Sequence, residues 1–178
     1  MILGDKFIHH AIAEGHILRF DYDNVGPASL DIRLGNSIAI PIKGQRVKLG
    51  EEVKYCTITV DKGGVLWMDP GEFCLATTME AFKVPKDQAA FVQGRSSIGR
   101  AGLTIQNAGF VDPGFRGHIT LELKNESNHS IGLVPGYRVG QLVFFQCIGV
   151  SAGYKGKYNG QVEATGSRMH LDREVVDE

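Results

Sequence analysis

Between residues 93 and 102 the chain reads Gln-Gly-Arg-Ser-Ser-Ile-Gly-Arg-Ala-Gly, the densest concentration of anion-binding chemistry in the sequence. Glycines 94, 99 and 102 let backbone N–H groups come close to an anion. The hydroxyls of Ser96 and Ser97 donate to it, and the guanidinium forks of Arg95 and Arg100 grip its oxygens. A polar turn with surface arginines has the same composition, so taken alone the segment leaves both readings open. It is not a Walker-type phosphate loop, whose glycine–lysine spacing is absent. A second concentration follows at residues 107–125. There Ile119, Leu121 and Leu123 alternate with Thr120, Glu122 and Lys124, the period of a strand with one buried face. Glu122 on the other face is either a solvated carboxylate or an acid–base group. Asp112, ahead of Pro113-Gly114, is either a turn residue or a second functional carboxylate.

The elements that must carry these residues are short. Twenty-three glycines in 178 residues, about 13% against a typical ~7%, sit in turns between β-branched stretches and predict a turn-rich β fold. One helix is expected at the N-terminus, capped by Asp5, with Phe7, Ile8, Ala11 and Ile12 as its apolar stripe and Gly15 as its stop. Strands are expected at 30–34, 37–42, 55–60, 72–78, 89–93, 118–125, 131–134 and 138–147, separated by Gly, Pro, Asn and Asp. That series predicts an antiparallel barrel or double-sheet roll in a single domain, residues 1–178. The segment 151–178 has glycine and polar residues without periodicity and is either a frayed end or a lid. Nineteen basic against twenty acidic residues give a net charge of −1, which argues against bulk attraction to nucleic acid. No apolar run approaches the ~20 residues of a membrane span, and the start lacks a signal-type apolar stretch, so a cytoplasmic protein is expected. Cys56, Cys74 and Cys147 are odd in number and form no CxxC pair, which favours free, buried thiols.

Five stretches then stand in a telling order: residues 27–35 (Pro-Ala-Ser-Leu-Asp-Ile-Arg-Leu-Gly), Gly94-Arg95-Ser96-Ser97, residues 108–115, Gly140-Gln141-Leu142-Val143-Phe144, and the tail with Lys157-Tyr158, Gln161, Ala164-Thr165 and Ser167-Arg168. Together they resemble the motifs of the dCTP deaminase and dUTPase superfamily over nearly the whole chain. The resemblance implies a mainly β, dUTPase-like fold, a distorted antiparallel β-barrel or jelly roll with a short N-terminal helix, assembled as a homotrimer with shared active sites. It implies dCTP, and dUTP as a further candidate, as ligand. It also implies Mg²⁺ carried by phosphate oxygens and waters, with no metal-ligating residues, no zinc, and no nucleic-acid or membrane partner. Six histidines occur without the HxE and PCxxC context of zinc deaminases, so a carboxylate must move the protons.

The family places that proton shuttle at Glu122, its water contacts at Ser96 with Arg95, and Arg100 toward the phosphates. Ser97 and Gln141 match phosphate-contacting positions. Ala108, Gly109 and Phe110 match substrate-contacting ones, and Tyr154, Lys157, Tyr158 and Gln161 match a closing lid. Asp112 matches the carboxylate that contacts deoxyribose and activates water against the α-phosphate. Glu122 marks the deaminase branch. Gly109-Phe110, where deaminases that stop at dUTP carry His-Arg, resembles the bifunctional members that form dUMP. A deaminase releasing dUTP, a dUTPase and a non-catalytic nucleotide binder are the alternatives.

Overall fold

A computed structural model of the chain describes residues 1–106 and 109–172. The helix α1 spans Asp5–Ala13, buries Ile8, Ala11 and Ile12, and is followed by Gly15 at φ +70°. Its cap corrects one expectation: Gly4 holds the N-cap position without a side-chain bond, and Asp5 is already helical. The Asp5 N–H donates to the Pro27 carbonyl (3.0 Å), which starts the helix one residue early. Its carboxylate takes the Lys6 N–H (2.8 Å) at the positive end of the helix dipole.

Eleven strands are described: β1 (Ile17–Leu18), β2 (Leu30–Pro41), β3 (Tyr55–Thr59), β4 (Leu66–Met68), β5 (Phe73–Lys83), β6 (Gln88–Gly94), β7 (Leu103–Gln106), β8 (Phe110–Val111), β9 (Arg116–Asn125), β10 (Ile131–Leu133) and β11 (Arg138–Gln146). A five-residue helix, α2 (Ser96–Arg100), sits between β6 and β7. Nine strands form one curled antiparallel sheet, a half-barrel, in the order β7-β9-β5-β2-β11-β6-β8, with β1 on β5 and β3 on β2. The remaining two, β4 and β10, pair with each other. The concave face encloses the core, where Leu30, Ile32, Leu34, Ile38, Leu121 and Leu142 are almost wholly buried.

The stretches expected as two strands at 30–34 and 37–42 are one bent strand, β2. Its register against β5 breaks between Leu34 and Ile38, and that of β5 against β9 between Thr77 and Ala81. Gly35 is needed at this double irregularity, because a Cβ there would lie 2.2 Å from Thr77 Oγ1. The bend also carries a buried ion pair. Glu80, fully enclosed, accepts from Arg33 Nε (2.7 Å) and from the Arg33 N–H (2.9 Å). The three cysteines are free, but only Cys74 is buried; Cys147 is half-buried and Cys56 is exposed on β3. Burial pushes the Cys74 thiol up to about 12. Among the described residues no helix is long and apolar enough to cross a membrane.

Candidate active site

The alternation read from residues 118–125 holds in β9. Ile119, Leu121 and Leu123 face the core, and Thr120 and Glu122 stand half-exposed on the outer face. Antiparallel register sets Leu75 of β5 opposite Glu122. Beside that outer face, and reaching in as far as the buried Ile119 and Phe115, the structure has a pocket of about 380 Å³, within the range of small-ligand sites. Phe73, Leu75, Phe110, Phe115 and Ile119 give it apolar walls. Glu122, Asp112, Thr120, Tyr154, Tyr158 and Gln161 bring polar atoms to it. Asp112 arrives through a tight turn: the Phe115 N–H donates to its carbonyl (3.1 Å), and Gly114 takes φ +86°. Asp112 is thus both a turn residue and a pocket carboxylate.

The tail forms the other wall, and it is not frayed over residues 151–172. The Tyr154 N–H donates to the Pro113 carbonyl (2.6 Å), and Gly153 lies so close to Gly114 that a Cβ on Gly114 would be 2.7 Å from its Cα. Farther on, Gly160 N–H donates to the Arg116 carbonyl (2.7 Å). His118 and Gln161 exchange two bonds: His118 N–H to the Gln161 carbonyl (2.9 Å), and Gln161 Nε2 to the His118 carbonyl (2.7 Å). Ala164 is then buried against Ala39 and Leu75 beside Tyr55, its N–H on Ser37 Oγ (3.0 Å). The Thr165 N–H reaches Thr120 Oγ1 (3.3 Å), and the Ser167 N–H reaches Tyr55 Oη (3.3 Å). Of the four tail residues expected at the site, Lys157 does not line the pocket. It pairs with Asp172, which raises its pKa above the usual lysine range, and its ammonium lies 5.5 Å from the centre of the Tyr158 ring.

The phosphate-cradle residues also lie outside the pocket lining. Ser96, Ser97 and Arg100 are exposed on α2, which Ile98 anchors to the core. Gly102, at φ +91°, ends α2, and a Cβ there would strike Ser127. Arg95 precedes α2, and its Nε meets Asp31 Oδ2 of β2 at 3.2 Å. Gln141 of β11 donates to Asp31 Oδ1 (3.0 Å). One chain therefore carries two groups: a carboxylate pocket on β8, β9 and the tail, and an arginine–serine group on β2, α2 and β11. Phe110 lines the pocket, half exposed, and stacks edge-on against Phe91 with ring centres 5.0 Å apart, whereas Gly109, whose carbonyl accepts the Val92 N–H (2.8 Å), is not part of the lining. Ala108 lies outside the described residues.

Two participants escape a reading of single residues. Thr120 was placed on the right face by alternation but given no role. Tyr55 comes from β3, 65 residues upstream of Thr120, with no local signal. Among the described residues no three His, Cys, Asp or Glu side chains converge as a metal cage.

The chain is thus a half-barrel with an outward carboxylate on β9 and an arginine–serine segment, entering α2, after β6. A family model described as dCTP deaminase-like matches residues 2–147, and the chain belongs to that family. A protein of Sulfurihydrogenibium sp. named "dCTP deaminase, dUMP-forming" is 42% identical over 98% of this chain and 100% of its own length. One of the same name from Aquifex aeolicus is 42% identical over the whole of both chains. The crystal structure of 2'-deoxycytidine 5'-triphosphate deaminase from Agrobacterium tumefaciens superposes with a TM-score of 0.64 at 22% identity. It covers 80% of this chain, which spans about half (47%) of that one, and so shows the shared fold.

Proposed function

We infer that this chain hydrolyses dCTP to dUMP, ammonia and pyrophosphate. The observation that carries the reading is the placement of two carboxylates, Glu122 and Asp112, on one apolar-walled pocket, in a chain whose full-length relatives are named as dUMP-forming. Glu122 takes a proton from the water that attacks C4 of cytosine and passes it to N3; it then takes the hydroxyl proton of the tetrahedral adduct and delivers it to the amino group, which leaves as ammonia while C4=O forms. Asp112 accepts the proton of a second water that attacks the α-phosphate. Gly109-Phe110 in place of the His-Arg pair of deaminases that stop at dUTP supports this second step, since a glycine there takes less space than a basic side chain. Apolar walls thin the water around both steps and strengthen the charges within them.

Arg95, Ser96, Ser97, Arg100 and Gln141 bind the phosphates and order the water. Because they do not line the pocket of their own chain, the reading completes each site with a neighbouring copy in a homotrimer. Magnesium would enter with the triphosphate on phosphate oxygens and waters and neutralise part of its charge. The strap, beginning at 151, serves as the lid of a single cytoplasmic domain.

Product analysis from dCTP with Mg²⁺ tests the assignment: dUMP, pyrophosphate and ammonia are expected in equal amounts. Accumulation of dUTP without pyrophosphate reduces the protein to a simple deaminase, and absence of ammonia removes the deaminase reading. Asp112→Asn should suppress pyrophosphate release while ammonia still forms.

A further inference from the structure

We propose that Asp31 is the positioning residue of the polyphosphate grip and that Arg138 is a further side chain of that grip, an assignment that rests on the dCTP reading above. The Asp31 carboxylate, 13% exposed, accepts from three side chains on two other segments: Arg95 Nε (3.2 Å), Arg138 Nη1 (3.3 Å) and Gln141 Nε2 (3.0 Å). Its place is set by pairing, since Asp31 and Gln141 are direct register partners between β2 and β11. In a regular strand Arg138, three residues before Gln141, would point to the opposite face, toward the core. The register shifts between Arg138 and Gly140, so Arg138 pairs with Arg33 while Gly140 pairs with Ile32. That one-residue bulge returns Arg138 to the face of Asp31 and Gln141.

Two guanidinium groups around one carboxylate leave a surplus positive charge. Arg138 is 46% exposed, and among the described residues its side chain has no acceptor but Asp31. Its remaining N–H groups therefore face solvent beside Arg95, in the arrangement a polyphosphate takes. Asp31 holds both arginines and Gln141 in place before ligand arrives, which lowers the ordering cost of binding.

This makes a claim about sign. If Asp31 acted only through its charge, removing that charge would tighten the binding of an anion. If it acts by positioning, Asp31→Asn weakens binding although the site becomes more positive. The test is calorimetric titration of the full-length protein with inorganic tripolyphosphate and Mg²⁺, alongside steady-state kinetics with dCTP. Asp31→Asn and Arg138→Gln should each weaken tripolyphosphate about tenfold, the scale of one charge-assisted hydrogen bond, and raise KM for dCTP more than they lower kcat. Arg138→Lys should recover part of the loss, and Arg138→Gln should cost less in the Asp31→Asn background than alone. Arg138 is on the surface, so its variants report on the grip even if Asp31→Asn folds poorly. Unchanged or tighter tripolyphosphate binding by Asp31→Asn, or unchanged affinity and KM in Arg138→Gln, overturns the proposal. If the wild-type protein turns over dCTP while the variants behave like it, this proposal alone fails. If the wild type neither binds tripolyphosphate nor turns over dCTP, the functional reading fails with it.

Discussion

Glu122 owes its position to its neighbours: Leu121 and Leu123 take the core side of β9, and pleating sends the residue between them outward. The pocket around it then depends on what covers that outer face. Glu122→Gln preserves size and hydrogen bonding while removing basicity. Ammonia release from dCTP should fall by ~10²–10⁴-fold with nucleotide affinity retained. Near-normal ammonia release from the purified variant would refute Glu122 as the proton shuttle. At this scale the sequence was legible wherever a side chain's surroundings were local. Alternation oriented Glu122 and Thr120, and the Pro113-Gly114 turn located Asp112. The partners of Asp31 were not legible, because Arg95, Arg138 and Gln141 meet it only through the β2–β11 register and a bulge that no local pattern announces. Nor was the pairing of Lys157 with Asp172.

The long elements were readable from periodicity, and of the shortest strands only β10, expected at 131–134 and found at Ile131–Leu133, was anticipated. Strands β1, β4, β7 and β8 have two to four residues, too few to display a period, and their pairing is imposed by longer neighbours. Periodicity left the tail open between a frayed end and a lid for a different reason: its attachment to the turn and to β9 runs through main-chain N–H and carbonyl groups at Tyr154, Gly160 and Gln161, which side-chain pattern does not report. Its crossing of the 112–115 turn yields a prediction at the same scale. Gly114→Ala introduces a left-handed strain of about 1–2 kcal/mol and drives a methyl group into Gly153. The variant should still melt cooperatively, at a lower Tm, and lose turnover through a displaced strap. Thermal unfolding and kcat, measured together, check it; full activity would show that the crossing is dispensable.

For the whole molecule, the curled sheet holds the carboxylate pocket and the arginine–serine group apart, and the proposed reaction draws on both. Copies that exchange halves have a measurable signature. An Arg95→Ala variant and a Glu122→Gln variant, each inactive alone, should regain activity when dissociated, mixed equally and reassembled. Random assembly predicts about a quarter of wild-type activity, because each site then draws both intact halves by chance. No recovery, or a fully active monomer at assay concentration, would refute the exchange. The half-barrel itself was foreseeable from turn spacing and strand count, since closing so many short antiparallel strands leaves few architectures.

Gly114 and Gly117 meet the strap at two successive crossings, where a Cβ would come within 2.7 Å of Gly153 Cα and 2.6 Å of the Gln161 carbonyl oxygen. Their smallness is thus a debt to a segment some forty residues downstream in the sequence. Gly114, Gly117 and the strap therefore constrain one another sterically. A lineage that sheds the strap loses these two steric reasons to keep the glycines, and one that replaces them first has already forfeited the strap.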